Sequence, residues 1–75
     1  MATSQIDQAV GRNLRRAREA AGLDHESLGA LSRLEACDLE AAERGGVRLQ
    51  AQDLYALCRA LRIPLAVLLG QEPAD

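Results

Sequence analysis

Apolar residues recur along this chain at helical spacing, and small or charged residues cut them into five short segments. Val10, Leu14, Ala17 and Ala21 form one narrow stripe, which predicts a first helix over about residues 7–21, closed by Gly22 just past its end. On the same helical wheel Arg12, Arg15 and Arg16 lie opposite the stripe as a solvated basic face. Arg18 sits at the border, where its stem can lie on the core. Asp24 suits the N-cap of a two-turn second helix, 25–31, that carries Leu28 and Leu31; Ser32 and Arg33 then break the apolar pattern before Leu34. A third segment, 35–43, turns Leu39 and Ala42 inward and puts Glu35 and Asp38 in its first turn, where the helix dipole favours negative charge. Arg44, Gly45 and Gly46 end it. A loop with Val47, Arg48 and Leu49 leads to a fourth helix, 51–61, whose Leu54, Leu57, Cys58 and Leu61 make the clearest amphipathic stripe in the chain. Pro64 opens a short fifth helix, 64–69, closed by Gly70, and residues 71–75 form a polar tail.

Composition agrees with an all-α fold. The chain has 14 Ala and 13 Leu against a single Tyr and no Phe or Trp, so helix formers dominate and the aromatic residues that strands prefer are nearly missing. Seventy-five residues supply one hydrophobic core, and the reading is a single domain over 1–75 with short disordered tails. Leu, Ile and Val make up 18 of 75 positions, enough to fold. Nine Arg against 11 acidic residues leave a net charge of -2, which argues mildly against nucleic acid as the partner. Cys37 and Cys58 stand 21 residues apart with His25 the lone histidine. That is neither a disulfide framework nor zinc-ligand spacing, so both thiols are expected reduced and buried, with no metal and no cofactor. One His and two unpaired Cys offer no convergent acid, base and nucleophile, which argues against an enzyme. The start of the chain lacks the regions of a signal peptide, and no apolar run approaches the roughly 20 residues that cross a bilayer; a cytoplasmic protein with no membrane partner is expected.

The segments "GRNLRRAREAAGL", "ESLGAL", "LEAAERG" and "LYALCRALRIPLAVLLG", in that order and without a gap from Gly11 to Leu69, resemble the Cro/C1-type (XRE) helix-turn-helix family. The resemblance implies a five-helix domain in which residues 35–43 are the recognition helix, the element that lies in the major groove in DNA-binding members. It also implies a pairing of Arg18 with Glu43 that orients the third helix on the first, a structural role.

The departures from the family pattern bear on function. Base reading needs side chains that donate and accept in the major groove. Here the outward positions of the third helix are Ala36, Cys37, Glu40 and Ala41, with Asp38 at the edge, and residues 35–43 carry four acids and no base. Duplex DNA presents a phosphate charge about every 1.7 Å of axis and repels such a helix. His25 stands where the family has a phosphate-reaching Gln and reads as a solvated neighbour of the cap. Glu35 replaces a small polar N-cap, Arg33 a turn Gly and Ser32 a core Leu, which suggests repacking through Leu31. Val47 and Leu49 are exposed in the loop unless they fold inward.

Two readings follow. In the first, the recognition surface serves protein contact: Glu35, Ala36, Cys37, Asp38, Glu40 and Ala41, flanked by His25, Arg33, Arg44, Val47, Arg48 and Leu49, seat a basic partner such as a transcription factor, and the chain is an antiactivator-like modulator. In the second, the chain is an ordinary dimeric Cro/C1-type repressor or activator on duplex DNA, with Arg12, Arg15 and Arg16 touching phosphates. The first is preferred on contact chemistry. Val67, Leu68 and Leu69 can serve a homodimer or close the monomer core; both remain open.

Overall fold

The computed structural model describes residues 5–70, and among these it is all helical: α1 Gln5–Ala20, α2 His25–Ser32, α3 Ala36–Glu43, α4 Ala51–Leu61 and α5 Leu65–Leu68. The tails expected to be disordered lie outside the described residues. α1 starts two residues before the expected position and stops at Ala20, leaving Ala21 exposed rather than on the core stripe. Glu35 and Pro64 are N-caps rather than first-turn residues.

Chain direction is controlled mainly at the helix ends. Asp24 caps α2 by accepting from the Ser27 backbone N–H at 2.8 Å, and this bond holds its carboxyl below the usual carboxylate range. All five described helices run into a residue with left-handed backbone, and after four of them the next N–H bonds five residues back: Leu23 to Arg18, Leu34 to Gly29, Gly46 to Ala41 and Ile63 to Cys58. Gly22 and Gly45 take that conformation freely. Arg33 (φ 62°) and Arg62 (φ 58°) take it at a steric cost of about 1–2 kcal/mol each.

The core is a leucine cluster. Leu14, Leu28, Leu39, Leu57 and Leu68 are fully buried, one from each helix, and each contributes roughly 1.5–3 kcal/mol by leaving water. α1 packs on α3 and α5, α2 on α3 and α4, and α4 on α5. Gly11 sets the closeness of α1 and α3, because a Cβ there would collide with the carbonyl oxygens of Ala42 and Glu43. Asn13 ties α1 to α5 by donating from Nδ2 to the Leu68 carbonyl at 3.0 Å.

Two sequence expectations are corrected here, for Leu31 and Cys37, and the open direction of Val47 and Leu49 is resolved. Leu31 does not repack the second helix; it is 60% exposed, and Ser32 takes the buried position, its hydroxyl satisfied by donating to the Leu28 carbonyl at 2.7 Å. Leu49 folds inward against the core while Val47 stays exposed. Of the two thiols only Cys58 is buried, and burial pushes it up; Cys37 is exposed on α3. Leu68 closes the monomer core, with Val67 and Leu69 half-buried around it.

Candidate functional site

α2 and α3, joined by the turn at Arg33–Leu34, present the face on which the expected site residues lie. Leu39 and Ala42 anchor α3 inward, so Cys37, Asp38 and Glu40 point to solvent while Ala36 and Ala41 are half-buried. Glu35 is exposed at the N-cap and makes no capping bond through its side chain. No side chain on the outward surface of α3 carries a strong hydrogen-bond donor, and its charges are the three carboxylates Glu35, Asp38 and Glu40.

Behind this surface a buried ion pair fixes the angle of α3. Arg18 reaches from α1 to Glu43 through two bonds, Nε to Oε2 at 2.7 Å and Nη2 to Oε1 at 3.1 Å, and its Nη1 donates to the Leu23 carbonyl at 2.8 Å. Side-chain exposure is 11% for Arg18 and 6% for Glu43, so the pair is largely out of water. Burial works to raise the Glu43 carboxyl, but the hydrogen bonds from Arg18 and His25 prevail and hold it below the ordinary range. The bond to Glu43 in turn holds Arg18 above its ordinary value despite desolvation.

His25 is not a solvated neighbour of the cap. Its Nε2 lies 3.0 Å from Glu43 Oε1 and its side chain is 28% exposed, so the imidazole is engaged with the pair rather than free for a phosphate. The flanking arginines divide. Arg48 turns to the start of α1, where its Nε is 3.4 Å from both Asp7 carboxylate oxygens, a long contact. Arg44 is exposed beside Glu40 on a shallow cleft of about 240 Å³ shared with Arg15. On α1, Arg12, Arg15 and Arg16 are exposed as expected, and Arg15 is paired to Glu19 at 3.1 Å. Among the described residues no group of His, Cys, Asp and Glu side chains could hold a metal, and no helix is long and apolar enough to cross a membrane.

Solved structures resemble this arrangement. The restriction-modification controller protein C.AhdI from Aeromonas hydrophila superposes with a TM-score of 0.80 at 32% identity, over 83% of this chain and 94% of that one. The chain belongs with the helix-turn-helix gene regulators. Two crystal structures of the clp gene regulator ClgR from Corynebacterium glutamicum match over 91% of this chain at 28% identity, with TM-scores of 0.85 and 0.83, and cover 72% and 88% of those chains. No protein-family model and no curated relative matches the chain. These structural neighbours are regulators rather than enzymes.

One cluster on this regulator was not foreseen. Between the C-terminal ends of α2 and α4 runs a groove of about 710 Å³ bordered by Arg33, Arg59 and Arg62. Arg59 lies in the last turn of α4 and Arg62 is the left-handed residue that ends it. Only the packing of α2 on α4 brings Arg33 to them.

Proposed function

We propose that this chain is a transcription regulator whose helix-turn-helix face binds a basic protein surface in place of duplex DNA. The observation that carries the reading is the outward surface of α3: three exposed carboxylates and small side chains, with no strong donor to read a base edge. The engagement of His25 with Glu43 supports it, because a phosphate contact at the start of α2 loses its side chain. A basic partner neutralises Glu35, Asp38 and Glu40, and Ala36 and Ala41 let it approach the α3 backbone. An antiactivator acting on a DNA-binding transcription factor fits this chemistry.

A second reading is operator binding by a Cro/C1-type dimer. The likeness to a restriction-modification controller and a clp gene regulator favours it, as does the exposed Arg44 at the end of α3. In that case Glu40 or Asp38 accepts from a cytosine N4 and the arginines of α1 add phosphate contacts.

Titration of isotope-labelled protein with random-sequence duplex DNA at low salt separates the two. DNA-binding domains bind non-specific DNA with dissociation constants of roughly 10⁻⁴ to 10⁻⁶ M even at physiological salt. The protein-contact reading expects the amides of residues 36–41 to stay unmoved; salt-sensitive shifts centred on them overturn it in favour of DNA.

A further inference from the structure

We infer that the basic surface to which α3 docks is on a second copy of this chain, namely the groove bordered by Arg33, Arg59 and Arg62. This rests on the reading of α3 as a protein-docking face. No carboxylate lines the groove, and none of its three arginines makes an ion pair or side-chain hydrogen bond with any described residue. Their place at the carbonyl ends of α2 and α4 explains why positive charge is favourable there. All three side chains are exposed to solvent with no carboxylate of the groove against them. The rest of the lining includes Leu31, 60% exposed and the largest apolar side chain there, with Ala56 and Ala60. An occupant must therefore bring acids for the rim and small apolar groups for Leu31.

α3 has that composition. Glu35, Asp38 and Glu40 are exposed and form no ion pair with any described residue, and Ala36, Cys37 and Ala41 lie between them. The two surfaces adjoin at the α2–α3 turn, since Arg33 and Glu35 are two residues apart. They do not satisfy one another within a chain. Adjoining complementary patches are what a two-fold axis needs: each copy places α3 in the other's groove, and both junctions form at once in a closed dimer. Such a dimer covers α3 and keeps it from any other partner, so self-association regulates the same face.

Sedimentation of the full chain over a range of concentrations, at about 0.01 M and about 1 M salt, tests the proposal, because the Debye length falls from roughly 30 Å to 3 Å between them. The expected result is a dimer at low salt that dissociates at high salt. Two charge reversals follow, Arg33→Asp/Arg59→Glu in the groove and Asp38→Arg/Glu40→Arg on α3; Asp is used at Arg33 because it tolerates left-handed backbone. Each variant alone, with helical content verified by circular dichroism, is expected to dimerise at least about 100-fold more weakly. Mixed together they restore a 1:1 dimer. A monomeric wild type at low salt, dimers that persist in both variants, or folded variants that fail to combine overturn the proposal. The DNA titration on the same sample separates the two levels: a monomer with unmoved α3 amides removes the self-docking and leaves the protein-contact reading, whereas a monomer whose α3 amides shift with DNA removes both.

Discussion

Replacing Glu43 by alanine tests the claim that one ion pair sets the angle of α3. The change removes two bonds to Arg18 and the acceptor of His25, and it leaves the Arg18 guanidinium, 11% exposed, with only the Leu23 carbonyl as partner. Breaking a buried pair from one side costs about 3–5 kcal/mol, because the remaining charge is stranded. The surviving bond to Leu23 places Glu43→Ala at the lower end, about 3 kcal/mol. A domain of this length has about 4–11 kcal/mol of total stability, so the variant loses a large share of it. At roughly 4–8 °C per kcal/mol, Tm falls by about 12–24 °C. Urea denaturation followed by circular dichroism gives the free energy. The exposed Arg15–Glu19 pair is the internal control, and Glu19→Ala should change stability by no more than about 0.5 kcal/mol. The double variant Arg18→Met/Glu43→Leu should be far milder than Glu43→Ala, since it removes both charges together. A loss below about 1 kcal/mol for Glu43→Ala, equal to that of the exposed pair, refutes the reasoning.

Other consequences are open to measurement. Gly11→Ala gains helix propensity of about 1 kcal/mol but drives its Cβ into the carbonyls of Ala42 and Glu43; a net loss of about 1–3 kcal/mol in urea is expected, and any gain in stability contradicts the close approach of α1 and α3. The Glu43 and Asp24 carboxyls are held below their ordinary values in the folded chain, so the stability they contribute is present above the unfolded values, about 4.3 and 3.9, and is lost as pH falls below them. The urea midpoint should therefore drop from about pH 4 downward, and the drop should be shallower in Glu43→Gln. A thiol reagent should modify Cys37 in the native protein and reach Cys58 only on unfolding, so mass spectrometry reads one adduct without urea and two with it; native labelling of both refutes the burial of Cys58.

Much of this molecule follows from local pattern. The five-helix order was readable because its signals are short-range: leucines at helical spacing, Asp24 ahead of α2, glycines after α1 and α3; the helix-turn-helix class came from the resemblance of the segments between Gly11 and Leu69. The acidic character of α3 was readable for the same reason, since Leu39 and Ala42 alone determine which side of that helix faces out. Local pattern failed where two elements compete for one residue. Leu31 and Ser32 are neighbours on α2, and hydrophobicity favours Leu31 for the interior; the packing of α2 against α3 and α4 leaves room for the serine, whose hydroxyl finds its partner within the helix itself. A loop residue such as Leu49 has no periodicity to declare its direction.

The sequence by itself determined the five helices, the cap at Asp24, the glycine stops after α1 and α3 and the charge that α3 turns to solvent, because each depends on residues within about one helical turn. Tertiary structure alone decided the site's finer chemistry. His25 is engaged because α2 packs where its imidazole meets Glu43, 18 residues away in the chain, and that distance is invisible to any spacing rule. Arg33 joins Arg59 and Arg62 only across the α2–α4 contact. Side chains distant in sequence become one electrostatic surface only when the backbone between them has folded, and only then can a charged residue be told from a charged site.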